Sequence, residues 1–124
     1  MRHRVAGRQF GLPSDQRRAL LKGLLRSLIV YKRIQTTEAR AKDLRPMIEK
    51  LITRAKNEDS VHSRRIARAI IGGHSVSDES IVKELFTVIA PQFKERTGGY
   101  CRIGKVGLRR GDNAPLVILE LISD

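Results

Sequence analysis

Residues 98–122, GGYCRIGKVGLRRGDNAPLVILELI, decide how this chain folds. Tyr100 to Leu108 reads as one β-strand and Leu116 to Ile122 as a second. Between them, Arg109 to Pro115 supplies the Gly, Asp, Asn and Pro expected where a chain reverses, so the stretch predicts a C-terminal β-hairpin. Gly104 and Gly107 interrupt the alternation of the first strand and predict a bulge or a close backbone approach. The second strand is apolar apart from Glu120, which requires cover on both faces or a partner on one of them. Two strands alone are marginal in water, so the upstream helices must pack on this hairpin.

The chain has 124 residues, enough for one domain with a real core. Its 40% hydrophobic content supports folding, and with three Phe, two Tyr and no Trp the core is expected to be aliphatic. No apolar run approaches the roughly 20 residues that span a bilayer. Met1-Arg2-His3-Arg4 is not followed by the apolar segment of a secretion signal. One cysteine, Cys101, excludes an internal disulfide and suits a reducing compartment.

The net charge of +12 is the strongest compositional signal. Residues 1–33 hold nine basic side chains against one acid, Asp15, so the positive field is concentrated at the N-terminal end. A polyanion is the natural partner of such a field. Composition alone leaves RNA, DNA and an anionic membrane open.

Residues 1–13 read as an extended basic arm carrying Arg2, His3, Arg4 and Arg8, with Gly7, Gly11 and Pro13 preventing regular structure. A first helix is expected after Ser14 as N-cap, with Asp15 in its first turn and Leu21, Leu24, Leu25 and Leu28 as its apolar stripe. Arg18, Lys22 and Arg26 recur every four residues beside that stripe and form a candidate phosphate-binding row. Ile34-Gln35-Thr36-Thr37 could add an edge strand to the hairpin. Thr37 then caps a long helix to about Asn57, with a bend expected before Pro46.

A short third helix is expected after Ser60, with Ile66, Ala67, Ile70 and Ile71 facing the core and Gly72-Gly73 stopping it. Arg64, Arg65 and Arg68 lie together on its outer side and are candidates for phosphate contact. A fourth helix, capped by Ser77 with Asp78 and Glu79 in its first turn, buries Val82, Leu85, Phe86 and Ile89 and ends near Pro91. It reads as structural. On the first hairpin strand Tyr100, Arg102 and Lys105 could reach a sugar-phosphate backbone, although Tyr100 also suits a half-buried strand position. Asp112 and Asn113 are expected to bond their own backbone in the turn.

No active site is legible. His3, His62 and His74 fall in different segments, Cys101 has no metal-ligand spacing or assignable base, and there is no phosphate-loop or dinucleotide-binding glycine pattern. Cys101 reads as a small buried hydrophobe. The expectation is a non-enzyme with no cofactor, no metal and no small-molecule substrate.

MRHR at 1–4, GRQF at 7–10, IQTT at 34–37, KDLRPMIEKLIT at 42–53, GGYCRIGKVGLRRGDNAP at 98–115 and LVILEL at 116–121 together resemble the bacterial large-subunit ribosomal protein seventeen family. The sequence departs from that pattern at residues 11–16, where relatives are often more basic, and the loop from Gly72 to Ser77 varies in length. The resemblance implies a structural protein of the large ribosomal subunit that binds rRNA near the polypeptide exit region, with neighbouring large-subunit proteins as further partners, no membrane, and a cytoplasmic, ribosomal location. It also implies that Arg2, His3, Arg4, Gly7 and Arg8 belong to an rRNA-contacting arm. Thr36 and Thr37 would join strand to helix, and Gly111, Asp112, Asn113 and Pro115 would shape the turn.

The expected architecture is α/β of the α+β type. Four helices pack around a small mixed sheet with a C-terminal β-hairpin, and an extended basic arm (1–13) precedes a compact domain (14–124). A free-standing DNA-binding module and a protein-interaction adaptor are the alternative readings of the same charge and the same apolar hairpin.

Overall fold

The computed structural model describes residues 7–72 and 76–122, with side chains described except at 76–78. Its elements run α1 (Ser14–Tyr31), β1 (Arg33–Thr37), α2 (Glu38–Asn57), α3 (Val61–Ile71), α4 (Val76–Glu84), β2 (Cys101–Leu108) and β3 (Pro115–Leu121). Past α4 the chain stays helical through a π-turn, Leu85–Ile89, and one further turn, Ala90–Gln92. The α+β architecture of four helices on a small sheet is the one expected.

The strand order is β1-β3-β2, and both pairings are antiparallel. The apolar strand β3 therefore sits in the centre, and the IQTT segment forms an edge strand beside it. Val117, Leu119 and Leu121 are buried toward the helices, whereas Leu116, Ile118 and Glu120 on the opposite face are only half-buried. Helices thus cover one face of β3 and leave the other partly open. The bulge falls between Lys105 and Gly107, where Gly107 takes a φ of 151°, a conformation that favours a residue without a Cβ.

α1 ends without a glycine. Lys32 adopts the left-handed conformation (φ 67°), its amide donating to Leu28 O at 2.8 Å. The strain of an L-residue there is about 1–2 kcal/mol. It is offset by the Lys32 ammonium, which donates to Ile29 O at 2.7 Å and to Glu84 Oε1 at 2.6 Å. One residue later the chain enters β1, and Thr37 passes directly from strand into helix.

Capping is uneven. Pro13, not Ser14, occupies the N-cap position of α1, and Thr37 stands at the N-cap of α2 without a side-chain hydrogen bond. Ser60 does cap α3, its Oγ accepting from Ser63 N at 3.1 Å. α4 already includes Val76, so Ser77 stands inside the helix and not at its N-cap; the side chains of Ser77 and Asp78 and the loop at His74 and Ser75 lie outside what is described. α2 continues through Pro46 to Asn57.

The core is aliphatic, as expected: Leu25, Leu28 and Ile29 of α1 meet Leu44, Ile48, Leu51 and Ile52 of α2 and the buried face of β3. Each such side chain contributes roughly 1.5–3 kcal/mol on burial. The α3 face is rotated from the one expected. Ser63, Ala67 and Ile71 are buried, Ile66 is intermediate and Ile70 is 36% exposed. The π-turn has a local cause: Pro91 has no amide to give and crowds the preceding turn, and the Ala90 amide bonds five residues back to Leu85 O.

Candidate nucleic-acid interface

Residues 7–33 carry seven basic side chains and α3 carries three, and tertiary packing brings α1 against α3. α1 packs against both α3 and α4. At this contact the stem of Lys22 crosses Gly72, the residue that ends α3. A Cβ placed on Gly72 would stand 2.9 Å from Lys22 Cδ, and Gly72 itself has a φ of 81°. The α1 row is therefore not a uniform exposed stripe. Arg18 is open to solvent, while Lys22 and Arg26 are half-buried, with Arg26 Nε inside the protein.

α3 and α4 enclose a groove of about 330 Å³ lined by Arg64, Arg65, Arg68, Glu79, Val82 and Lys83. The arginines are held differently. Arg64 donates to both carboxylate oxygens of Asp59, at 2.7 and 3.1 Å, and its guanidinium carbon lies 5.2 Å from the Phe86 ring centroid. That fork holds the Asp59 carboxyl below its ordinary range and raises Arg64 above its own. Arg68 pairs with Glu79 at 3.0 Å. Arg65 is exposed, and no ion pair with another described residue neutralises it. Lys83 joins this groove although its helix looked structural in sequence; nothing in its local pattern announces a neighbour 15 residues back on α3.

A second basic cluster surrounds Glu38. Lys42 pairs with it at 2.9 Å, and Lys105 and Arg8 also act on it, so that its carboxyl is held below the ordinary value, chiefly by the Lys42 hydrogen bond. The N-terminal segment, the start of α2 and strand β2 thus meet at one place. Arg8 is committed there to Asp43 through both its guanidinium and its main-chain amide, the latter at 2.8 Å. Arg2, His3 and Arg4 lie outside the described residues.

On the hairpin, Arg102 and Lys105 are exposed, with Arg102 paired to its cross-strand neighbour Glu120. Tyr100 requires a correction. It is 1% exposed and belongs to the core, where it cannot reach RNA. Its ring lies 5.2 Å from that of Phe93, its hydroxyl accepts from Thr53 Oγ1 at 3.1 Å, and the Lys56 ammonium sits 5.0 Å from its centroid. A large aromatic at the start of the central hairpin fills the space between α2 and the sheet better than any smaller residue nearby. Cys101 is buried beside it, and burial pushes its thiol up to about 12, with Glu49 adding to the effect.

Among the described residues no group of His, Cys, Asp and Glu is arranged to hold a metal ion, and no helix is long and apolar enough to cross a membrane. A cavity of about 830 Å³ between α2 and the Thr97–Tyr100 segment mixes Lys50 and Arg54 with Glu49 and Glu58 and has no single charge to offer a polyanion.

Comparison with known proteins points in one direction. The family described as Ribosomal protein L17 matches residues 20–122. The large ribosomal subunit protein bL17 of Caldanaerobacter subterraneus subsp. tengcongensis is 55% identical over 93% of this chain and 97% of its own length. The bL17 of Thermodesulfovibrio yellowstonii is 50% identical over 98% of this chain and 87% of its own length. That of Thermomicrobium roseum is 46% identical over 99% of this chain and the whole of its own.

Proposed function

Since the chain belongs to the ribosomal protein L17 family, we propose that it binds and stabilises large-subunit rRNA near the polypeptide exit region, with neighbouring large-subunit proteins as further partners. Membership makes it a ribosomal, RNA-binding, non-catalytic protein of translation. The finer reading concerns which surfaces carry the binding. In it, rRNA docks across the α3–α4 groove and the exposed end of α1, and the N-terminal arm and the β2 cations Arg102 and Lys105 form a second contact region. This is a protein of the ribosome in the cytoplasm, and its work there is charge neutralisation and shape fit.

One observation supports the groove above the others: Arg64, Arg65, Arg68 and Lys83 line it, and Glu79 is the one acid among its described lining residues. Two of these arginines are already oriented by Asp59 and Glu79, which lowers the entropy of presenting them. A-form RNA displays phosphates and 2′-hydroxyls to such a surface more readily than base edges. Family membership favours rRNA over duplex DNA as the polyanion.

Binding of an rRNA fragment across a salt series tests the assignment. Replacing Arg65 and Lys83 with Ala is expected to lower the slope of log K against log salt by roughly 1.4–1.8, the loss of two phosphate contacts. An unchanged slope with unchanged affinity would remove the groove from the interface.

A further inference from the structure

Asp43 stands in the second turn of α2, and its side chain is only 9% exposed. It faces inward to the N-terminal segment, not outward to solvent. Oδ2 accepts the main-chain amide of Arg8 at 2.8 Å, and Oδ1 accepts its guanidinium, across 35 residues of chain. A surface ion pair between two mobile side chains contributes little. This one differs because one of the two bonds goes to the backbone. It fixes the path of the chain at Arg8, whichever way the Arg8 side chain turns. The anchored residue lies in a cleft with Thr37, Glu38, Lys42 and Pro115, between the start of α2 and the end of the β2–β3 turn.

We propose that Asp43 is a positioning residue for RNA binding: by holding the amide and guanidinium of Arg8 it sets where the basic N-terminal segment leaves the domain, and so aims that segment at the rRNA. This rests on the reading of residues 1–13 as an RNA-binding arm. Arg8 is then the fixed root of the arm, and phosphate contact falls to the other arm cations. A fixed root leaves fewer residues to position on RNA, which lowers the entropic cost of binding.

The sign of one substitution separates this role from simple electrostatics. Asp43→Asn removes a negative charge from a basic protein. If Asp43 only competes with phosphate for Arg8, or only adds repulsion, the change tightens RNA binding. If Asp43 positions the arm, the change weakens it. The full chain is measured against a large-subunit rRNA fragment as wild type, Asp43→Asn, Arg2→Ala/Arg4→Ala, and the combination, with thermal melts to confirm folding. The positioning role predicts about three- to tenfold weaker binding for Asp43→Asn, and less than about twofold when Arg2 and Arg4 are already gone. It also predicts faster tryptic cleavage after Arg8 in the RNA-free protein. Equal or tighter binding by Asp43→Asn, or the same loss in both backgrounds, overturns it. If Arg2→Ala/Arg4→Ala binds like wild type, the arm reading itself falls and the positioning role falls with it. Should Asp43→Asn fail to fold, Arg8→Ala removes the guanidinium half of the anchor and leaves the main-chain half, so a smaller loss with the same coupling to Arg2 and Arg4 is expected, and an uncoupled loss overturns the role.

Discussion

Thr53 Oγ1 donates a 3.1 Å hydrogen bond to the hydroxyl of Tyr100, tying the C-terminal part of α2 to the residue that leads into β2. The two are 47 residues apart, and the bond closes over a ring that is almost fully buried. Tyr100 is thus the joint between the helical layer and the sheet. Tyr100→Phe keeps the ring and loses the bond, so it is expected to lower stability by about 1 kcal/mol in urea unfolding. Tyr100→Ala is expected to cost about 3–5 kcal/mol through the cavity it leaves. Because the hydroxyl does not face RNA, Tyr100→Phe should bind an rRNA fragment as tightly as wild type does.

Gly72 carries two constraints at once, a φ of 81° and the stem of Lys22 across its α-carbon. Gly72→Ala is expected to destabilise the fold by about 1–2 kcal/mol, measured by thermal denaturation, most of it from the left-handed backbone. The displaced Lys22 side chain should also alter RNA affinity, whereas Gly23→Ala, with open space around its α-carbon, should not.

The Cys101 thiol is raised in the folded state to about 12 by burial and by Glu49. The unfolded thiol ionises first as pH rises, so the folded state then holds the extra proton and stability falls. The loss should run from about pH 9 toward 12, at no more than about 1.4 kcal/mol per pH unit. Below pH 8 the residue should contribute no slope. Native protein is expected to resist thiol alkylation at pH 8, and denatured protein to react at once. Cys101→Ala should flatten the alkaline limb of the stability curve.

Asp112 behaves oppositely. Its carboxyl is held down to about 2, first by the Arg109 side chain and then by the Ala114 amide at 3.2 Å. Its contribution to the turn is complete above the unfolded value near 3.9 and is lost as pH falls through about 2. Carboxyl resonances of the β2–β3 turn should report that midpoint. Asp112→Asn should remove the acid-dependent change in the turn while leaving the pairing of β2 with β3 intact.

Much of the architecture was written in local pattern. The hairpin, its turn and the edge strand at residues 33–37 follow from alternation, from Gly-Asp-Asn chemistry and from Thr-rich β propensity, and none of these needs a distant partner to be read. The stripe of α2 is equally plain, because Ala41, Leu44, Ile48 and Leu51 repeat at helical spacing and all are buried. Helix ends were less legible. Lys32 closes α1 in a left-handed turn that sequence would assign to glycine, and what makes it tolerable is Glu84, 52 residues away.

The charged side chains divide along the same line. Composition and the clustering of arginines determined that this protein meets a polyanion, since charge sums without regard to geometry. Which cations remain available is decided only by folding, because an ion pair depends on distances that sequence separation does not encode. Arg8 is drawn to Asp43, Arg68 to Glu79 and Arg102 to Glu120, whereas Lys83 is carried into a groove with Arg65. Tyr100 marks the limit most clearly: its side-chain chemistry suits a surface or a core equally well, and the packing of α2 against the sheet places it in the core.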